Sequence, residues 1–397
     1  MPLPKPESAC FLIADLSGYT NYLAGVELDH AQDIVADILD TIVRVVRPPF
    51  RLAKFEGDAA FVYALADKVD GALLQDAVDA AYFSFRRRKR NIRMALVCEC
   101  KACKTAQTLD LKFVAHHGQM VKQKMGGREE LAGSDVILVH RLLKNSVEAK
   151  VGGHAYLLCT DAAVKAMGID PIKQNLIAHH EKFESVGEVD CWVRDLEAAW
   201  TRENERERHF VSAEESAFTL EFDIAAPRPI VWDYFTSPDH RPKWQGSDGV
   251  KQETAGGRRG VGTKNHCIHG EVASIEEIKD WRPFDYLTIT SLMPMPGAVR
   301  LLETYTFEDR PDGITHVEFH IAKPKAKDRA FFEEAKLFLG GTYMDGFIRL
   351  RELIEGKEAS PAVIAEPEML PTQERFLTQP VTHKHDHAHR EPATGSG

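Results

Sequence analysis

Two helical segments that bracket a tight hairpin constrain the first half of this chain more than any other feature. Over 29–47 the apolar residues Ile34, Val35, Ile38, Leu39, Ile42, Val43 and Val46 recur at helical spacing, and Pro48-Pro49 stop the helix. Segments 51–55 and 59–64 then read as two strands joined by a Glu56-Gly57 turn. A second helix is predicted over 70–90, ending in the basic run 86–90, which reads as a solvated helix end. Upstream, 11–14 is a short buried strand closing at Asp15; downstream, 109–115 alternates as a half-buried strand with 119–124 as a candidate partner. A third helix over 134–145 and a strand over 155–159 follow. This order predicts an α+β fold, an antiparallel sheet backed by helices on the ferredoxin-like plan.

A length of 397 residues points to two domains. The sequence changes character after a highly charged stretch. We therefore divide it into a first domain over 8–197, a connector or exposed helix over 198–216, a second domain over 217–356 and a tail over 357–397. In the second domain 217–224 alternates with period two, 229–236 reads as a short helix, several strands follow, and 328–355 is a long amphipathic helix carrying Gly340-Gly341. That is the pattern of a curved antiparallel sheet wrapped around a C-terminal helix, a helix-grip architecture. The tail is rich in Pro, Glu, Thr and His and is expected to be disordered; its alternating His383, His385, His387 and His389 read as a polar tail or a weak metal chelator.

A net charge of −10 argues against general affinity for nucleic acid or anionic membrane. The N-terminal apolar stretch is too short for a signal peptide, and no segment approaches the roughly 20 apolar residues of a membrane span. Seven cysteines without an export signal fit a reducing compartment, so a soluble cytoplasmic protein is expected.

The chemistry-bearing residues of the first domain begin with Asp15, at the end of a strand, and Asp58, at the start of the second hairpin arm. If those strands are neighbours, two carboxylates meet. Hard oxygen ligands of this kind suit Mg²⁺ or Mn²⁺, two ions activating a hydroxyl and stabilising a leaving group. Backbone amides at Ser17, Gly18, Tyr19 and Thr20 would then face a triphosphate. Each residue also has a plainer role open to it: Asp15 as a cap, Asp58 as a hairpin polar residue, Lys54 as an exposed strand residue, Arg141 as a helix salt-bridge partner.

Three stretches in order, FLIADLSGYT, KFEGDAAFVYA and FVAHHGQMVKQKMGGREELAGSDVILVHRLLKNS, resemble the class III nucleotidyl cyclase catalytic domain over about residues 8 to 195. The resemblance implies a homodimer with substrate held between chains. It places Asp15 and Asp58 as metal ligands, Lys54 and Glu130 as readers of the purine edge, and Arg141 as the residue that neutralises phosphate charge during attack. Lysine with a carboxylate partner favours ATP over GTP, and hence conversion of ATP to cyclic AMP and pyrophosphate. The family's ribose-orienting asparagine is replaced by Ile137, which cannot hydrogen-bond; losing such a contact costs on the order of a hundredfold in rate. Three outcomes stay open: a slow cyclase, another group such as His140 in that role, or nucleotide binding without turnover.

Cys98, Cys100 and Cys103 fall within six residues, a spacing that suits Zn²⁺ or an iron–sulfur cluster if a fourth ligand such as His116, His117 or Cys267 is near, and equally suits a loop of reduced or redox-active thiols. The second domain resembles the START-like or polyketide cyclase/dehydrase superfamily over about 210 to 355, carried by FTLEFDIAAPRPIVWDYFTSPDHRPKW, WRPFDYLTITS, LLETYTFED and the C-terminal helix. The resemblance implies an apolar cavity for a small hydrophobic ligand but assigns no reaction. Trp232, Trp244, Trp281 and Phe338 are cavity or core aromatics. Cys267 and His269 share a strand face and form a candidate pocket pair. Besides a ligand-regulated cyclase, the sequence thus admits a degenerate nucleotide- and ligand-binding protein, or an enzyme acting on an aromatic or polyketide-like compound in the second domain.

Overall fold

The computed structural model describes residues 5–26, 28–94, 101–184, 186–254, 256–292 and 300–356. The N-terminal domain runs β1 (Glu7–Ser17), α1 (Tyr19–Ala24), α2 (Leu28–Val46), β2 (Arg51–Glu56), β3 (Ala59–Leu65), α3 (Gly71–Met94), α4 (Lys101–Thr105), β4 (Asp110–Met125), β5 (Arg128–Ala132), α5 (Ser134–Arg141), α6 (Val147–Val151), β6 (Tyr156–Thr160), α7 (Asp161–Ala166), β7 (Ile177–Phe183), β8 (Gly187–Asp195) and α8 (Leu196–Glu205). Its sheet has the order β2-β3-β1-β4-β6-β8-β7, with β5 pairing the far end of β4; β4 and β6 are parallel and the other pairs antiparallel.

The apolar run in β1 is explained by burial on both faces, since successive side chains point to opposite sides of a strand. Cys10, Leu12, Ala14 and Leu16 pack with α2 and α3, whereas Ala9, Phe11 and Ile13 pack with Val136, Val139 and Leu142 around α5. Helices therefore cover both faces of the sheet. The predicted partnership between 109–115 and 119–124 is corrected: these residues form one continuous strand, β4, because β1 pairs with it from Asp110 to Met120, and residues 121–125 pair with β5 instead. The basic run is not a free helix end. Arg86 binds Glu197 and Tyr82, and the Arg88 guanidinium forks onto Asp37 at 2.5 and 2.9 Å.

The C-terminal domain comprises β9 (Ser216–Ile224), α9 (Arg228–Thr236), α10 (Arg241–Gln245), β10 (Gly249–Glu253), β11 (Lys264–His269), β12 (Val272–Arg282), β13 (Tyr286–Leu292), β14 (Arg300–Arg310), β15 (Ile314–Ala322) and α11 (Arg329–Ile354). Its sheet is wholly antiparallel, in the order β10-β11-β12-β13-β14-β15-β9. The helix α11 runs unbroken through Gly340-Gly341 and seats Phe347 against Phe222, with ring centroids 4.4 Å apart. This is the expected helix-grip arrangement. Trp232, Trp244 and Trp281 are buried, but Phe338 is half exposed and belongs to neither core nor cavity.

The domains share one apolar core: Leu74, Ala77 and Ala81 of α3 belong to the same buried cluster as Trp232, Trp281 and Phe307. Polar groups fix the seam. Asp76 accepts hydrogen bonds from the indoles of Trp232 (3.1 Å) and Trp281 (3.2 Å) and from Arg258 (2.8 Å). One turn along, Asp79 binds Arg258 (3.0 Å) and Arg194 (2.8 Å). Burial opposes ionisation of Asp79, but the two guanidinium groups overcome it and hold the carboxyl below its ordinary value. Among the described residues no helix is long and apolar enough to cross a membrane.

Candidate active site

Strand register brings the predicted carboxylates together. Asp15 on β1 sits opposite Ala59 on β3, the residue after Asp58, and the Leu16 amide donates to the Asp58 carbonyl at 3.2 Å. Burial, and then the neighbouring Asp15 carboxylate, push the Asp58 carboxyl above its usual value, while Lys112 pulls it back. Lys112 is the residue the sequence did not reveal. On the other side of β1 it is the direct cross-strand partner of Asp15, and its ammonium lies 3.2 Å from the Asp15 carboxylate with both side chains largely buried. Two carboxylates at adjoining strand positions are the right donors for a divalent cation, but the third group present is a cation. Among the described residues no cluster of three or more His, Cys, Asp or Glu side chains could hold a metal. As placed, this set does not fit a two-metal centre.

Next to the pair, Ser17 is buried and donates to the His154 carbonyl at 3.3 Å. Gly18 follows with φ 84°, a left-handed conformation that turns the chain directly into α1 through Tyr19 and Thr20.

The predicted purine readers converge from two hairpins. A β-bulge in β2 pairs Leu52 with Val62 but Lys54 with Phe61, so that Ala53 is the extra residue and Lys54 is re-aimed. On the β4–β5 arm Glu130 pairs with Gln123. The Lys54 ammonium then lies 4.0 Å from the Glu130 carboxylate and 2.8 Å from Glu56. The helix α5 contributes the remaining candidates. Arg141 and Ile137 are exposed on it, Ile137 at 58%. His140 is turned inward: its Nδ1 meets the Val136 carbonyl at 2.7 Å, its Nε2 meets Glu56 at 3.0 Å, and its ring stands edge-on to Phe61. It is thus engaged within the protein.

The spacing around Gly118 has a steric cause. A methyl group there would lie 2.3 Å from Cγ of Asp135. Asp135 packs over the bare backbone, accepts the Gln119 amide at 2.7 Å and lies 3.3 Å from Nε2 of His116, whose Nδ1 meets Thr160 at 2.8 Å. Burial lowers the His116 pKa despite Asp135, so the ring is neutral near pH 7. His116 thus ties the strand to the helix through both ring nitrogens. Cys98 and Cys100 lie outside the described residues, as do the tail histidines and the side chain of Cys103.

In the C-terminal domain Cys267 is buried in contact with Gln245, and burial lifts its thiol pKa to about 12. His269 is exposed at the strand end, so the expected pocket pair does not form. A cavity between the sheet and the helices α9 and α10, lined by residues including Phe235, Arg241, Asn265, Trp281 and Tyr305, measures about 10 Å³, room for about one water molecule. Beside it lies a buried carboxylate. Glu303 accepts hydrogen bonds from Ser291, from Tyr305 at 2.8 Å and from Tyr343 at 2.7 Å.

Over 162 residues the chain is 36% identical to the uncharacterized protein Rv2561/Rv2562 of Mycobacterium tuberculosis, which covers 41% of this chain and 73% of that one. The chain belongs to that protein's family. Residues 35–151 match the family model described as a protein of unknown function (DUF2652), and residues 216–355 match that of polyketide cyclase / dehydrase and lipid transport. Solved structures similar to it include the guanylyl cyclase Cya2 (15% identity, TM-score 0.38, 48% of this chain and 92% of that one) and the adenylyl cyclase CyaB from P. aeruginosa (16%, 0.35, 49% and 97%). Protein MLL2253 from Mesorhizobium loti is similar over 36% of this chain and 99% of its own, at 18% identity and TM-score 0.28.

Proposed function

We propose that the N-terminal domain binds a purine nucleoside triphosphate, ATP in preference to GTP, between two copies of the chain, and holds it without efficient cyclisation. The observation that carries this reading is the convergence of Lys54 and Glu130 at 4.0 Å. An ammonium there donates to a ring nitrogen, and a carboxylate accepts the hydrogens of an exocyclic amine, the pattern adenine presents and guanine reverses. Ile137 leaves the ribose without a positioning hydrogen bond, and Arg141 stays exposed on α5, available to phosphate oxygens. The core that α3 shares with the C-terminal domain supports action of that domain on the N-terminal one. A hydrophobic ligand entering it would have to part the aromatic packing beneath α11, which supports a regulatory role over catalysis in that domain.

Calorimetric titration of ATP and GTP into wild type, Lys54→Ala and Glu130→Ala tests the reading, with products identified by mass after incubation with Mg²⁺ or Mn²⁺. Binding of ATP that weakens about tenfold or more in both variants, with no cyclic product, is the expected result. Absence of nucleotide binding in the folded wild type would overturn it. Cyclic AMP made by wild type and not by Asp58→Ala would replace it with an adenylate cyclase.

A further inference from the structure

We propose that the Lys112 ammonium takes the place of a divalent cation beside Asp15 and Asp58, so that this pair of carboxylates binds metal weakly. The inference stands on the pair alone and holds whether or not a nucleotide binds.

Three features make Lys112 a fixed counter-ion. First, Asp15 and Lys112 are directly opposed on antiparallel neighbours, which puts their side chains on one face with Cβ atoms about 5 Å apart. Second, β1 is paired on both sides, to β3 and to β4, so neither backbone is free to withdraw. Third, the lysine side chain is only 14% exposed and its partner 17%, and the ammonium sits at 3.2 Å, within direct ion-pair range. Nearby, the Ser17 hydroxyl is turned away to the His154 carbonyl. Together the two carboxylates and one ammonium carry a formal charge of −1. A first divalent ion arriving here must displace the ammonium or sit against it, and a second meets a site already positive. Coulomb repulsion of this kind is strongest where water is excluded, as it is around these side chains.

The test is titration of Mn²⁺ into the full-length chain, free ion followed by electron paramagnetic resonance, with no nucleotide present. Wild type, Lys112→Arg, Lys112→Met and the double variant Lys112→Met/Asp15→Asn are compared, with folding checked by circular dichroism. Lys112→Met should bind Mn²⁺ at least tenfold more tightly than wild type; Lys112→Arg should remain like wild type, and the double variant should lose the gain. Equal affinity of wild type and Lys112→Met within twofold overturns the proposal. Should Lys112→Met fail to fold, wild type decides against Asp15→Asn. Two Mn²⁺ ions bound tightly and lost in Asp15→Asn overturn the proposal; no Asp15-dependent binding below millimolar Mn²⁺ upholds it.

Discussion

Glu303 is a carboxylate with three hydroxyl donors and no cation among them, wholly buried under α11. Burial raises its pKa, and the hydroxyls of Ser291, Tyr343 and Tyr305 offset this only in part. A carboxyl whose folded pKa is raised binds its proton more tightly folded than unfolded. Stability is therefore greatest below the unfolded value of about 4.3 and falls as pH rises from there toward the folded value. Glu303→Gln removes that dependence. Its melting temperature should gain on wild type steadily from pH 4 upward, and a constant difference across that range would exclude the linkage. Residues of this kind separate what the sequence revealed from what it hid. Asp15 and Asp58 stood out as carboxylates at strand ends beside turns, and Lys54 and Glu130 came only through the cyclase resemblance. Lys112 and Glu303 were not legible, since both acquire their meaning only from strand register, which no local pattern around them states. Cys267 and His269 do alternate correctly along a strand, but β11 ends at His269 and leaves it in solvent.

The helix α3 was predicted over 70–90 and is buried on most of its circumference. Leu73, Leu74, Ala77, Val78, Ala80 and Ala81 are all covered, as are Asp76 and Asp79. Its acidic residues in an apolar run were the available signal, since a charge on such a helix needs a partner from elsewhere. That partner, Arg258-Arg259, lies in a glycine-rich loop some 180 residues away, beyond any local pattern. The carboxylates are unequal in consequence. Asp76→Ala would leave two indole donors unpaired and the Arg258 guanidinium with Asp79 alone, and should cost about 3 kcal/mol in urea unfolding. Asp70 is half exposed: it caps α3 through the Leu73 amide and meets Arg259 at 2.9 Å, so Asp70→Ala should cost only about 1 kcal/mol. Similar losses in the two variants would mean that the seam is not held at Asp76. The strand β4 teaches the complementary lesson. Gly118 interrupts its alternation and invites a break, yet the backbone stays extended because β1 pairs with it throughout.

At the scale of the molecule, the division into two folds was legible from the change in periodicity after a charged stretch. Their union was not. The predicted connector begins within α8, whose Glu203 meets Arg282 at 3.6 Å while Arg208 meets Asp280 at 3.3 Å, and so contributes to the join. One apolar cluster spanning both sheets predicts a single calorimetric transition for the wild type. Asp76→Ala should split it into two, and an unsplit endotherm in that variant would place the coupling in the apolar contacts alone. The seam also carries its own optical probe. Trp232 and Trp281 stand edge to face with ring centroids 4.7 Å apart, each indole tethered to a carboxylate of the other domain. Two chromophores so close and so rigidly held couple their near-ultraviolet transitions. Any ligand that parts the domains would free both indoles from Asp76 and should announce itself by a change in that circular dichroism band and a red shift of indole emission, with no label attached.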